Sequence, residues 1–230
     1  MKLISSLDGV FMDFYGTIAC GDRAAVERCC ANVIAALGLS MTAPELAVRW
    51  GEVFFGYIDR HNGERFYSLT ELEALSLVET VGAQVGPFDP FPLVQELVEY
   101  WRRPPLFEEA KRALASLPVP TCIVSNVDTA DIVHACEHHQ LHFDQIITSE
   151  ETKSYKPDSR IFEAALARTG WSRDSVLHVG DSLYSDVMGA HGAGLRAIWV
   201  RRSDRILDIG KADPEWTIST LNELFFLHDH

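Results

Sequence analysis

The sequence predicts a doubly wound α/β fold, a parallel sheet with helices on both faces, interrupted by one helical insertion. Three observations predict it. Short apolar runs recur without polar alternation, as in strands buried on both faces. Helical patterns lie between those runs, giving the strand–helix order of an α/β protein. One long stretch, residues 22–103, has helical periodicity and no convincing strand.

Taken in chain order, the first apolar run is 9–14, Gly-Val-Phe-Met-Asp-Phe, and it predicts the first strand. Amphipathic stretches at 24–37, 43–59, 68–81 and 92–100 then predict a four-helix insertion directly after that strand. Pro104-Pro105 marks its end, because neither residue can continue a helix. A helix over 107–117 is closed by Pro118 and Pro120, and strand 121–124 follows. Helix 130–139, strand 145–148, helix 159–169, strand 176–179, helix 185–193 and strand 197–200 complete the alternation. Gly170, Gly192 and Gly194 stand where helices should stop. The chain thus divides into a core of 1–21 and 104–230 and a cap of 22–103. An insertion at the carboxyl end of a sheet strand sits where α/β proteins bind ligands, so it can serve as a lid.

The 230 residues include 33 acidic and 20 basic side chains, a formal net charge of −13. A surface this negative repels a phosphate backbone, which argues against nucleic acid as a partner. The apolar stretches 33–39 and 53–58 are far shorter than the ~20 residues a membrane helix needs, and no signal-peptide pattern opens the chain. Cys20, Cys29, Cys30, Cys122 and Cys136 make an odd number without a CxxC pair, as suits reduced thiols. The expectation is a cytoplasmic protein, monomer or homodimer, acting on a small anionic molecule without membrane contact.

Polar clusters stand where the apolar runs end. Asp13-Phe14-Tyr15-Gly16-Thr17 closes the first run, and a buried aspartate there needs a cation or hydrogen bonds. Gly16 permits a tight turn just beyond it. Ser125-Asn126 ends the second run, followed by Asp128, and its hydroxyl and amide can donate to an anion. Gly180-Asp181-Ser182, with Asp186 five residues after Asp181, ends the run at 176–179, and Lys156-Pro157 lies in the loop between strand 145–148 and helix 159–169. Converged, these residues would place carboxylates, a hydroxyl, an amide and an ammonium around one crevice. Carboxylates so close repel, so a hard cation is expected among them.

In these clusters, and in the phrase Tyr155-Lys156-Pro157-Asp158-Ser159-Arg160-Ile161-Phe162, the chain resembles the haloacid dehalogenase (HAD) superfamily over essentially its whole length. The resemblance implies a Rossmann-like core with a helical cap between the first and second motifs. It implies Asp13 as nucleophile, Lys156 as its charge partner, Ser125 and Asn126 as anion contacts, and Thr17 donating near the nucleophile. It further implies an Mg²⁺ site of Asp13, the main-chain carbonyl of Tyr15 and Asp181, with Asp186 as a direct or water-mediated ligand. The superfamily shares a fold and a nucleophilic aspartate, but not one substrate.

Two motifs disagree about the reaction. Most phosphatases of the superfamily carry a second aspartate two residues after the nucleophile, which protonates the leaving group and later activates water. Here that position is Tyr15, whose ordinary pKa of about 10 makes it a poor base at neutral pH. Asp-x-Tyr-Gly-Thr resembles the 2-haloacid dehalogenases, whose departing halide needs no proton. Asp181 instead resembles the Mg²⁺-dependent phosphatases. A phosphatase whose leaving group needs little protonation reconciles the two, while a 2-haloacid dehalogenase and a non-catalytic binding protein stay open.

In the cap, Arg49, Trp50, Tyr57, Arg60, His61 and Arg65 form the most distinctive polar and aromatic group. Arg60 and Arg65 could meet a substrate anion or pair with Glu52 and Glu64. Cys29-Cys30 read as small buried residues. His134 and His138 have the i,i+4 spacing of a metal pair, but no carboxylate motif accompanies them, which favours a solvated helix end. His228 and His230 fall in a terminus expected to fray.

Overall fold

The computed structural model describes residues 2–202 and 209–228. Strand β1 (Gly9–Met12) is followed by four long helices, α1 (Asp22–Leu37), α2 (Ala43–Arg60), α3 (Leu69–Val85) and α4 (Phe91–Arg102). The chain then runs through α5 (Ala110–Ser116), β2 (Thr121–Ser125), α6 (Thr129–His139), β3 (Gln145–Thr148), the single turn α7 (Ser149–Thr152) and α8 (Arg160–Thr169). It ends with β4 (Val176–Gly180), a π-helical turn Leu183–Met188 leading into α9 (Gly189–Gly192), β5 (Arg196–Val200) and β6 (Trp216–Ile218). The six strands are parallel in the order β3-β2-β1-β4-β5-β6, so the sequence-predicted α/β class is the observed one.

Alternation within the strands divides the core into two apolar layers. Val10, Met12, Ile123, Leu177, Val179 and Ile198 pack on one face with α5 and α6. Phe11, Cys122, Val124, Ile147 and Ala197 pack on the other with α8 and α9. Both faces are covered, which is why the strands read as continuous apolar runs. A third cluster belongs to α1–α4 and includes Cys29, Val33, Leu46, Leu72, Leu77 and Leu97.

Hydrogen bonds tie α1–α4 to the sheet. The Asp128 carboxylate accepts from Leu69 N at 2.7 Å and Thr70 N at 3.1 Å, satisfying two of the free amides that open α3. Ser68 and Glu71 close a capping box at the same end. Tyr155 N donates to Asn62 Oδ1 at 2.7 Å, and the Tyr155 hydroxyl donates to the Tyr67 carbonyl at 2.9 Å. Arg102 pairs with Asp131 at 2.7 Å.

Four expectations need correction. Helix 185–193 is instead the π-helical turn running into α9. There the amides of both Asp186 and Val187 donate to the Ser182 carbonyl, a widened turn that swings Asp186 back toward the strand. Helix 107–117 begins only at Ala110, because Phe107 N is tied to the Ile18 carbonyl. Strand β6 was not expected; three residues are too few to carry a periodic signal. His228 is not frayed but bridged antiparallel to Lys2, while His230 lies outside the described residues.

Candidate active site

The sheet order places three loops side by side, those after β1, β2 and β4. Asp13 follows β1, its amide donating to Val179 O of β4 at 2.9 Å. Ser125 is the last residue of β2, and Asp181 the first after β4. Lys156 arrives from the α7–α8 loop and is almost completely buried. Its ammonium donates to Asp13 Oδ1 at 2.7 Å, Asp186 Oδ1 at 2.6 Å and the Val124 carbonyl at 2.9 Å, using its three protons. Ser125 Oγ donates to the same Asp13 oxygen at 3.1 Å. Asp13 Oδ2 accepts no hydrogen bond among the described residues.

Two glycines make room for this arrangement. Gly16 adopts φ +91, and a Cβ there would lie 2.5 Å from Asp181 Oδ2. A Cβ on Gly180 would lie 2.2 Å from the Asp186 carboxyl carbon. Any larger residue at either position would push a carboxylate out of the site.

Burial raises the Asp13 pKa, with Asp186 and Asp181 adding to the rise and Lys156 opposing it. Burial acts the same way on Asp186, yet Lys156 and His178 hold it well below the usual carboxylate range. Burial would lower the Lys156 pKa, but the two aspartates outweigh it and keep the ammonium charged. Burial lowers the pKa of His178 on β4, against the opposing pull of Asp186. The His178 Nε2 donates to Asp186 Oδ1 at 2.9 Å, and Nδ1 has no partner among the described residues.

Above these residues lies a cavity of about 230 Å³. Its floor includes Asp13, Ser125, Lys156, Asp181 and Asp186, and its roof comes from all four of α1–α4. The roof is aromatic and apolar, with Trp50, Phe54, Phe55 and Trp101. Among the described residues, its carboxylates are those of Asp22 and Glu73.

Several sequence-predicted residues stand elsewhere than expected. Asn126 lines the cavity, but its amide grips the main chain of Lys156, donating to the carbonyl at 3.0 Å and accepting from the amide at 2.7 Å. The Thr17 hydroxyl donates to Asp181 Oδ1 at 3.5 Å rather than to Asp13. The Tyr15 phenol donates to the Trp101 carbonyl at 2.7 Å, and burial, reinforced by Asp131, holds its pKa well above the ordinary value. Of the cap group only Trp50 reaches the cavity. Arg60 lies over the Tyr57 ring, His61 stacks on the same ring, and Arg49, Arg60 and Arg65 are absent from the lining. No ion pair to Glu52 or Glu64 forms among the described residues. His134 bonds the Ala130 carbonyl, and no metal-holding group forms around it among the described residues. Cys29 and Cys30 are buried free thiols, as expected.

Sequence reading missed Asp22, Glu73 and His178. A signal for Glu73 existed. Leu69, Leu72, Glu73, Ser76 and Leu77 follow the i, i+3, i+4, i+7, i+8 stripe of one helix face, and the two polar residues interrupt it.

One carboxylate oxygen from each of Asp13, Asp181 and Asp186 lies within 4.8 Å of the others. Tyr15 lines the same cavity, and its carbonyl accepts no hydrogen bond among the described residues. An all-oxygen donor set of this kind fits Mg²⁺. Asp186 is the least available member, because Lys156, His178 and the Ser182 amide already occupy its oxygens.

A family profile described as haloacid dehalogenase-like hydrolase matches residues 7–194. Phosphoserine phosphatase of Thermus thermophilus is 36% identical over 131 residues, 54% of this chain and 51% of the relative. (S)-2-haloacid dehalogenase of Pseudomonas fluorescens is 28% identical over 118 residues, 50% of this chain and 52% of the relative. The chain thus spans about half the length of these curated relatives. Among solved structures, the HAD-hydrolase YfnB of Bacillus subtilis, bound to magnesium, superposes with a TM-score of 0.77 at 20% identity, covering 96% of this chain and 97% of that one. Phosphatases and dehalogenases both stand among the relatives, and what the matches have in common is the hydrolase family. With a profile match over most of its length and that fold around its clustered strand-end motifs, the chain belongs to the haloacid dehalogenase-like hydrolases.

Proposed function

We propose that this chain is an Mg²⁺-dependent phosphatase acting on a small phosphorylated metabolite whose leaving group needs little protonation. The observation that carries the reading is the Asp13–Asp181–Asp186 carboxylate group on the cavity floor. A metal has a clear use next to a transferring phosphoryl group and little next to an alkyl halide.

In this reading Asp13 Oδ2 attacks phosphorus. The bond from phosphorus to the leaving oxygen breaks, its electron pair staying on that oxygen, and water then hydrolyses the aspartyl phosphate to release phosphate. Lys156 and Ser125 fix the other oxygen of Asp13, which orients the attacking lone pair. Asn126 holds the Lys156 main chain in place. Asp13, Asp181 and the Tyr15 carbonyl would hold Mg²⁺, with Asp186 acting directly or through water. Bound there, Mg²⁺ supplies charge neutralisation at the phosphoryl oxygens. Tyr15 remains a protonated donor to Trp101 and leaves the floor without a second catalytic carboxylate. Acyl or anomeric phosphates, whose leaving oxygens are weakly basic, suit such a site. The same tyrosine favours the second reading, a 2-haloacid dehalogenase.

A panel of a sugar 1-phosphate, an acyl phosphate, an alkyl phosphate and 2-chloropropionate tests both, with phosphate and halide release measured with and without EDTA. Phosphate release lost in EDTA, and reduced at least about 10³-fold in Asp13→Asn, is expected. Halide release unaffected by EDTA would replace this reading with the dehalogenase. Equal turnover of acyl and alkyl phosphates would remove the restriction on the leaving group.

A further inference from the structure

The roof of the cavity holds a carboxyl group with no partner among the described residues. Glu73 extends from the face of α3 that also carries Leu69 into the cavity. No hydrogen bond or ion pair reaches its carboxyl among the described residues. It keeps some accessible surface, and that surface is cavity wall. Asp22, the first residue of α1, lines the same cavity and acts on Glu73 electrostatically. Trp50 is fixed alongside: its indole N–H donates to Ser76 Oγ at 2.8 Å, and that hydroxyl donates to the Glu73 carbonyl at 3.1 Å. An aromatic face and a carboxylate pair together form the usual surroundings of a bound ammonium group.

We propose that Glu73, with Asp22 and Trp50, forms a subsite for a protonated amine, so that the substrate carries an ammonium group at a distance from its phosphate. The proposal rests on the phosphatase reading of the floor and adds what the roof selects. Its physical basis is a mismatch of charge. Burial, aided by Asp22, pushes the Glu73 carboxyl up to about 8, and no basic side chain among the described residues offsets the rise. Among the described residues, the thiols of Cys29 and Cys30 on α1 and the phenol of Tyr155 also feel Glu73, and none of them is a cation. An ammonium placed against Glu73 supplies the missing positive charge and favours the ionised carboxylate. A ligand carboxylate would instead meet two acids.

Calorimetric titration of the Mg²⁺-loaded full chain at pH 7 tests this with three phosphonates, which resist hydrolysis. These are 3-aminopropylphosphonate, its uncharged isostere butylphosphonate, and 3-phosphonopropionate. The aminopropyl compound is expected to bind at least about tenfold tighter than butylphosphonate, a difference of about 1.4 kcal/mol, and the carboxylate compound weakest. Glu73→Gln, which keeps the shape of the side chain, should close the gap to about twofold, and Asp22→Asn should narrow it. Equal affinities for the first two, no binding of any, or a gap that survives Glu73→Gln overturns the proposal. The two readings fail separately. Absence of phosphate release from every monoester would overturn the phosphatase, whereas the phosphonate series decides the subsite without any turnover.

Discussion

The floor and the roof of the cavity both bury carboxyl groups, and they treat them in opposite ways. On the floor, Asp13 and Asp186 share the Lys156 ammonium at 2.7 and 2.6 Å, and Asp186 accepts further bonds from His178 and Ser182 N. On the roof, Glu73 sits among aromatic rings with a second acid, Asp22, as its charged neighbour. A buried ion pair with its hydrogen bonds complete is tolerated, whereas a buried unpaired carboxyl shifts its pKa and takes up a proton. The difference teaches what each half is for. The floor is assembled before any ligand arrives, as a site that must hold reacting atoms in place requires. The roof leaves a charge to be completed by whatever enters.

Removing the central cation is the most disruptive way to test the floor. Lys156→Met leaves Asp13 and Asp186 buried without their shared partner, and breaking a buried pair from one side costs about 3–5 kcal/mol. Urea unfolding at pH 7 should show a loss of that size. Adding Asp186→Asn should recover part of it, since one of the stranded charges is then gone. A loss below about 1 kcal/mol would mean that water already reaches these carboxylates, and the contrast with the roof would disappear.

The floor was legible in the sequence and the roof was not, for a physical reason. Asp13, Ser125 and Asp181 each end an apolar run, so strand periodicity alone marks where they emerge, and the parallel sheet brings those ends together. The role of Asn126 was not legible, because its hold on the Lys156 backbone joins loops 30 residues apart. On the roof, Arg60 and Arg65 read as candidate partners of a substrate anion, yet Arg60 turns to the Tyr57 ring and neither lines the cavity. Helical periodicity tells which face of α2 or α3 is buried but not what it is buried against. Glu73 and Ser76 showed as defects in an apolar stripe, and only the packing of α3 over the sheet turns that defect into a cavity wall. The π-helical turn was equally hidden, since its widening depends on Ser182 accepting two amides.

A smaller effect probes the roof directly. The Glu73 carboxyl titrates near 8 in the folded chain against an ordinary 4.5. Between those values the folded state holds a proton that the unfolded state has lost, so this group's contribution makes stability fall as pH rises from about 4.5 to 8, then level off. Glu73→Gln removes that contribution. The variant should melt close to the wild type at pH 5 and above it at pH 8, each kcal/mol recovered raising Tm by about 2–4 °C in a chain of this size. Scanning both proteins across the range and taking the difference cancels the slopes of all other groups. A flat difference would mean that Glu73 is already paired or solvated.

The smallest effect concerns the joint between the two halves. Asp128 follows the β2 loop that carries Ser125 and Asn126, and its carboxylate accepts the amides of Leu69 and Thr70 and the Thr70 hydroxyl, at 2.7, 3.1 and 3.0 Å. It therefore fixes the first turn of α3, where Leu69 faces the cavity one turn before Glu73. Asp128→Ala removes a helix cap and should cost about 1 kcal/mol in urea unfolding. It should also weaken 3-aminopropylphosphonate several-fold, because the turn that aims Glu73 is freed. Magnesium affinity should stay unchanged, since Asp13, Asp181 and the Tyr15 carbonyl do not depend on α3 for their positions. If magnesium affinity falls together with phosphonate affinity, floor and roof are one cooperative unit held by Asp128. If only the phosphonate responds, the site is two devices joined by one carboxylate, and the roof can change what it recognises without disturbing the chemistry below.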